Sequence, residues 1–427
     1  MKISIIGLGY VGLPLAIEFS KTYSTVGFDI NENRVQQLNT SIDINGDIVE
    51  SSLVTTEARF SSSTSDIKDS NIYIITVPTP IDKKNNPDLS LLKNACDTVG
   101  SVLNNNNIVI FESTVYPGTT EEICVPILEK NSKLDYITDD NKNSVNDGFY
   151  CGYSPERINP GDQEHYLSNI IKITSGSTQE VAEKIDNLYK TIVTAGTFKA
   201  KSIMVAEAAK IIENTQRDVN IALVNELSII FYKLGIDTKD VLDAAETKWN
   251  FNRYDPGLVG GHCIGVDPYY LAYKSMEIGY YPEMILSGRK INDGMPEIIA
   301  NRIKDLLKKK NKKIENSNIL IMGLSFKKDC KDLRNSKVFN LTKILNDESA
   351  KINVYDPFIN QSEINGNNTF TLIKEPKNEY YDVVIIAVDH SIFYSMGISD
   401  IRKFGKEEAI IFDVKSMFPI KDSDARL

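Results

Sequence analysis

The chain has 427 residues, too many for one ordinary hydrophobic core, and its size predicts two or three domains. A hydrophobic share of 41% and a charged share of 25% fit a globular protein in water, and a net charge of -10 argues against a general nucleic-acid binder, whose phosphate contacts need clustered Lys and Arg. No run approaches the ~18 uninterrupted apolar residues of a membrane span, and the five scattered cysteines fit neither a disulfide framework nor a zinc site.

Met1-Lys2 leads at once into the strand Ile3-Ser4-Ile5-Ile6, so no signal peptide is expected and the protein reads as cytoplasmic with reduced thiols. Gly7-Leu8-Gly9-Tyr10-Val11-Gly12 follows, then a helix from Leu13 to about Lys21 and a second strand, Thr25–Phe28, ending at Asp29. A tight turn and close approach of a pyrophosphate need residues without Cβ, and the helix N-terminus offers free N–H groups to phosphate. Asp29, 20 residues past Gly9, suits a ribose diol and repels a 2′-phosphate, which favours NAD over NADP. A Gly-rich turn that binds nothing is the plain alternative. Arg34 either lies over the adenine, reaches a phosphate or is a surface arginine.

Strands are expected at Ile72–Val77, Ile108–Glu112 and Ile170–Thr174, with helical patterns between several of them, as in a parallel sheet with helices on its faces. Thr114 stands just past one of these strands, at the edge where doubly wound sheets bind ligands. Asp139–Asp147 reads as a surface loop. Glu156 lies in Ser154-Pro155-Glu156-Arg157-Ile158-Asn159-Pro160-Gly161, a loop stiffened by two prolines, where a carboxylate is otherwise surface decoration.

From about Lys201 to Leu234 apolar residues recur at helical spacing and no Gly or Pro intervenes before Gly235. Such a helix, roughly 50 Å at 1.5 Å per residue, is expected to join two domains and carry a dimer face. Lys210 and Asn214, at i and i+4, share one side of it and either hold a developing oxyanion or face solvent. More helix is expected through about Ala300. Within that region Gly260-Gly261-His262-Cys263-Ile264-Gly265-Val266-Asp267-Pro268 sets a cysteine behind two glycines with a carboxylate four residues on. A thiol that can hold an acyl group, joined to a nicotinamide site, suggests an oxidation that passes beyond the aldehyde; a lone cysteine is otherwise a small buried hydrophobe. His165 and His262 are too few and too scattered for a metal site. The basic run at Lys308–Lys313 reads as a helix end, and Lys308–Asn318 as a boundary. A second α/β part follows, with strands at Ile319–Met322, Ile352–Tyr355, Val383–Val388 and Ile410–Val414.

Eight blocks stand in one order: Gly7–Gly12, Val77-Pro78-Thr79-Pro80, Glu112-Ser113-Thr114, Pro155-Glu156-Arg157, Lys210 with Asn214, Gly260–Pro268, Gly323-Leu324-Ser325-Phe326-Lys327 with Arg334, and Tyr355-Asp356-Pro357. In these the chain resembles the UDP-glucose/GDP-mannose dehydrogenase family from Met1 to about Lys415. The resemblance implies an α/β fold of two Rossmann-like doubly wound domains joined by a long central helix and a helical dimerisation region. Residues 1–198 would bind NAD, 199–300 would form the central domain and 301–427 would bind the UDP-sugar. It implies Cys263 as nucleophile, Lys210 and Asn214 as oxyanion donors, Asp267 as the water-orienting carboxylate, and Glu156 with Thr114 as supports of substrate and catalytic water. Tyr10, Val11, Thr79, Thr114 and Arg334 would join the glycines, Asp29 and Arg34 around the cofactor. Arg157, Arg217, Gly260 and Lys327 would join the substrate, with Arg253 supplied across a dimer interface.

The chemistry so implied is two hydride transfers from C6 of the sugar to two NAD molecules, through a thiohemiacetal and a thioester on Cys263. Pro160 replaces a second Glu that many UDP-glucose enzymes carry, and the strings around Glu156 and Glu213–Asn220 resemble the branch that oxidises UDP-N-acetylhexosamines for bacterial surface polysaccharides. UDP-N-acetyl-D-glucosamine is the expected substrate, with its N-acetylgalactosamine and N-acetylmannosamine counterparts and UDP-glucose as alternatives. A homodimer or higher homo-oligomer is expected. A two-electron dehydrogenase with a structural Cys263, or a nucleotide sensor without catalysis, would share the same glycine loop.

Overall fold

In a computed structural model of the chain, residues 1–44, 48, 50–158, 166–261, 264–364, 366 and 368–427 are described. They form two compact units, Met1–Glu213 with Tyr269–Gly279, and Asn214–Pro268 with Tyr280–Leu427.

The first unit is built on β1 (Lys2–Ile6), β2 (Ser24–Phe28), β3 (Arg59–Ser61), β4 (Ile72–Ile75), β5 (Ile108–Phe111), β6 (Asp135–Tyr136) and β7 (Gly148–Tyr153). They lie in the order β3-β2-β1-β4-β5-β7-β6, every pairing parallel. A parallel strand is covered on both faces, so apolar residues follow one another without alternation. Ile5 and Ile6 and the whole run Ile72–Ile75 are buried accordingly. Strand order reverses between β1 and β4, which places the ligand crevice at the C-terminal ends of those strands. The strand expected at Ile170–Thr174 is shorter, β8 (Lys172–Thr174), and pairs with β9 (Thr197–Lys199) in a separate two-stranded sheet. Its apolar pattern announces a strand but not which sheet it joins.

The second unit repeats the plan with β10 (Asn318–Met322), β11 (Lys351–Tyr355), β12 (Thr371–Leu372), β13 (Tyr381–Ile386), β14 (Gly405–Asp413) and β15 (Ala425–Arg426). Their order is β12-β11-β10-β13-β14-β15, again all parallel. One face, with Ile319, Ile321 and Val383, packs with Met295, Ile299 and Ile303 of the helix Glu283–Lys309. The other, with Leu320, Met322 and Val384, packs with Phe393 and Ile401. The fold is the expected α/β one, with two doubly wound parallel sheets.

The long helix runs from Ile203 to Leu234. Ser202 accepts the Val205 N–H at 3.2 Å and so ends the non-helical chain one residue inside the expected start. Gly235, at φ 72°, ends the helix in a left-handed turn that side chains disfavour. Residues to Glu213 belong to the first unit and those from Asn214 to the second. Val205, Ile212, Leu223, Ile230 and Leu234 are between 45% and 66% exposed and fall on one stripe, because their spacings are close to whole helical turns.

Candidate active site

The glycine loop of the first unit has three distinct constraints. Gly7 has φ 97°, and a Cβ there would meet Val77 Cγ1 at 3.1 Å. At Gly12 a Cβ would fall 1.9 Å from the Gly7 carbonyl oxygen, so helix and loop can meet only without one. At Gly9 nothing among the described residues lies within 4 Å, which leaves that space open. Thr76, which sequence motifs did not single out, ties the loop by donating its hydroxyl to the Gly7 carbonyl at 2.8 Å. Val11 is the helix N-cap without a side-chain cap, and the first turn has no acid, so the N–H groups there suit an anion. Tyr10 is half-buried against the apolar core.

Asp29 accepts the Leu8 N–H at 2.8 Å and the Asn31 N–H at 2.9 Å, one on each oxygen, and each oxygen keeps a lone pair. Arg34 is buried, with Nε donating to the Leu8 carbonyl at 3.0 Å and Nη1 paired with Asp43 at 2.6 Å. Its Nη2 is buried and has no hydrogen-bond partner among the described residues. The surface reading of Arg34 is thereby corrected; Asp43 supplies the charge that lets the guanidinium stay inside. Gly7, Gly9, Asp29, Arg34, Thr76 and Pro78 line a cavity of about 530 Å³. Open space at Gly9, a ribose-type acid and an unspent guanidinium donor fit the nucleoside diphosphate half of NAD.

Thr79 is buried and donates its hydroxyl to the Thr114 carbonyl at 2.6 Å, and the Tyr270 hydroxyl donates to the Thr79 carbonyl at 2.8 Å. The Thr114 loop is pinned further along, where the buried Glu207 carboxylate accepts the N–H groups of Gly118 at 2.6 Å and Thr120 at 2.9 Å. Burial pushes Glu207 up to about 7, although these N–H groups favour its ionised form. Glu156 is buried rather than decorating the surface; its Oε1 accepts the N–H groups of Arg157 and Ile158, both at 2.6 Å. Arg157 pairs with Glu213 at 2.6 Å.

In the second unit Asn214 donates to Asp267 at 2.6 Å, both side chains buried. Lys210, one turn earlier on the helix, is buried too, whereas Arg217 is exposed. Solvated-face readings of Lys210 and Asn214 therefore fail. Cys263, His262, His165 and Pro160 lie outside the described residues. The glycines before Cys263 are tight against a neighbouring segment: a Cβ on Gly260 would lie 2.6 Å from the Asn335 carbonyl oxygen, and one on Gly261, at φ 87°, 2.7 Å from the Phe326 ring. Asn225 holds the approach to them, accepting the Gly257 N–H at 2.8 Å and donating to its carbonyl at 3.1 Å. Asn292 and the buried Asp218–Arg289 pair brace Asn225 in turn. Only the fold could reveal this network, since each of its bonded pairs is over 30 residues apart in the chain.

Gly260, Lys327, Lys328, Lys337 and Lys415 share a cavity of about 200 Å³, whose concentration of ammonium groups suits a phosphorylated ligand. Arg334 is held by Asp332 in a forked pair, with a shortest contact of 2.5 Å. Arg253 is bound by Asp243, Glu246 and Asp255 of its own chain. The start of this sheet copies that of the first: Gly323, at φ 92°, donates to the Tyr355 carbonyl at 2.8 Å, as Gly7 donates to Phe28. Asp356 follows β11 as Asp29 follows β2, and accepts the Leu324 N–H at 2.7 Å. Here, however, His390 closes on the acid at 3.2 Å, and neither side chain is exposed. Burial alone would raise Asp356, but His390 and the Leu324 and Phe358 N–H groups together hold it below the usual carboxylate range.

The first unit thus has the loop, acid and cavity of a dinucleotide-dependent enzyme. Residues 1–193 match the NAD binding domain of the UDP-glucose/GDP-mannose dehydrogenase family, 204–294 its central domain and 320–419 its UDP binding domain. The chain belongs to that family, and is an NAD-dependent nucleotide-sugar dehydrogenase. It is 52% identical over 430 residues to UDP-N-acetyl-D-glucosamine 6-dehydrogenase of Salmonella typhi, covering 100% of this chain and 99% of the relative. Identity to the Pseudomonas aeruginosa protein of the same name is 50%, with coverage of 100% and 99%. Among solved structures, UDP-D-ManNAc dehydrogenase of Pyrococcus horikoshii superposes with a TM-score of 0.86 at 30% identity, covering 100% and 98% of the two chains. The expected family, fold and cofactor are borne out. Among the described residues no helix is long and apolar enough to cross a membrane.

Proposed function

We propose that the protein oxidises the C6 hydroxymethyl group of UDP-N-acetyl-D-glucosamine to the carboxylate, supplying a uronate for a bacterial surface polysaccharide. The observation that carries the substrate is the likeness, at 52% and 50% identity along the whole chain, to two proteins named for that reaction. In the first oxidation C6 loses a hydride and O6 a proton, leaving an aldehyde. The Cys263 thiolate then adds to C6, and Lys210 and Asn214 stabilise the oxyanion that forms on O6. Loss of a second hydride leaves a thioester. Water oriented by Asp267, with Glu156 and Thr114 in support, attacks it, releasing the uronate and the thiol. Bound NAD is the hydride acceptor in both oxidations. The Asn214–Asp267 hydrogen bond supports this reading, since it fixes a buried amide and a buried carboxylate against each other.

Gly7, Gly9, Tyr10, Val11, Gly12, Asp29, Arg34, Thr79, Thr114 and Arg334 are proposed to hold NAD, and Arg157, Arg217, Arg253, Gly260 and Lys327 the nucleotide sugar. We assign residues 1–198, 199–300 and 301–427 to the NAD, central and UDP-sugar parts, and the cytoplasm as the site of action. The exposed aliphatic stripe on the long helix supports a homodimer. Steady-state rates with UDP-N-acetylglucosamine, both of its epimers and UDP-glucose test the substrate; a preference of about tenfold or more for UDP-glucose overturns it. Two NADH should form per sugar, and Cys263→Ser should stop turnover while NAD still binds. One NADH per sugar would sink the thioester route.

A further inference from the structure

Lys172 occupies an uncommon place for an ammonium group, on β8 with its side chain 3% exposed. Its Nζ lies 2.5 Å from Glu112 Oε2 and 3.6 Å from Glu156 Oε2. Glu112 directly follows β5 and Glu156 stands three residues past β7, and β5 and β7 are neighbours. One lysine therefore sits between two carboxylates at the ligand-bearing edge of the sheet. The Tyr189 hydroxyl, from the helix Gln179–Lys190, donates a short hydrogen bond to Glu112 Oε1, so both Glu112 oxygens are engaged.

Glu156 differs. Its Oε1 is fixed by two N–H groups, while Oε2 is buried with no hydrogen-bond partner among the described residues. Lys172 is too distant to donate to it but close enough to act on it as a counter-charge. Among the described residues, the charged and titratable groups packed against Glu156 are Lys172 of β8, Glu112 beyond β5, Tyr189 of the helix and, in its own loop, Arg157, whose charge is already paired with Glu213. Burial pushes Glu112 up to about 7. Burial also opposes the Lys172 cation, but Glu112 and Glu156 together raise it above the ordinary lysine range, so it keeps its proton.

We infer that Lys172 is a positioning residue for the oxidation: anchored by Glu112, it supplies the counter-charge beside the Glu156 carboxylate, whose Oε2 is presented as an acceptor to the substrate hydroxyl or the hydrolytic water. This rests on the assignment of Glu156 to the reacting centre, and Glu156→Gln tests that assignment separately. The substitution should lower kcat by about 100-fold or more with NAD affinity unchanged. A variant within twofold of wild type removes Glu156 from the reaction and the inference with it.

Given an inactive Glu156→Gln, kcat against pH decides the role of Lys172. Lys172→Met leaves two buried carboxylates without a counter-charge, so the acid limb should move up by about one pH unit or more, with activity at pH ~7 recovered near pH ~9. Lys172→Arg should keep the wild-type limb, because the charge is retained. If Lys172→Met does not fold, Lys172→Met/Glu112→Gln removes the second unpaired carboxylate and should show the same upward limb. An unmoved acid limb in the folded Met variant overturns the inference, as does a Lys172→Arg limb displaced as far as that of Lys172→Met.

Discussion

Gly9 and Gly12 stand three residues apart in different surroundings, open space at the first, proposed to hold a ligand, and the Gly7 carbonyl oxygen at the second. Gly12→Ala drives a methyl into the Gly7 carbonyl oxygen and should cost about 1–3 kcal/mol or more, lowering the urea midpoint along with NAD binding. Gly9→Ala meets no atom among the described residues and should keep the wild-type midpoint while weakening NAD by about tenfold or more, as calorimetric titration would record. Equal loss of stability in both variants would contradict this division. These residues were legible in the sequence because a loop, a helix start and Asp29 lie within one short βαβ stretch. Lys172 was not, since its partners Glu112 and Tyr189 come from another strand and a helix, Glu112 60 residues away in the chain. A lysine in a short strand says nothing of burial by itself. Arg34 was ambiguous for the same reason: Asp43, which neutralises it, is nine residues off and bears no motif.

At the scale of elements, the long helix followed directly from an uninterrupted apolar period, and both of its ends obey local capping chemistry. Its exposed stripe is a different matter, because a periodic sequence does not separate a face buried in its own chain from one left for another copy. Leu223 is 54% exposed in the middle of that stripe. Leu223→Asp would place a charge in an apolar contact between copies, so light scattering should report the mass of one chain for this variant and of at least two for the wild type. A wild-type chain that is monomeric at micromolar concentration refutes the dimer. The Asn225–Gly257 clamp belongs to this scale too. It sets the entry of the Gly260-Gly261 turn from two helices at once, which no single segment could disclose.

For the molecule as a whole, the buried carboxylates set a pH dependence. Glu207 is raised by burial from 4.5 to about 7, so the folded state holds a proton that the unfolded chain has released. Its contribution is fully present below about 4.5 and is lost as pH rises through about 7, up to roughly 3 kcal/mol. Asp186, Asp237 and Asp356 are held low and act in the opposite sense, stabilising above 3.8 and failing only in stronger acid. The urea midpoint should therefore fall between pH ~5 and pH ~7.5, and Glu207→Gln should flatten that slope. A level wild-type profile would show that Glu207 is not protonated in this window.

The closing of His390 over Asp356 has a consequence for the order of events. The two sheets begin alike, yet among the described residues the acid of the first lines an open cavity while that of the second is closed off by His390, so a calorimetric titration should saturate at one NAD per chain. The proposed four-electron reaction would then have a single berth for its two-electron carrier. In that reaction the reduced coenzyme would have to depart and a fresh one arrive while the sugar is half converted, and a bond to sulfur is what would keep a reactive aldehyde from leaving during the exchange.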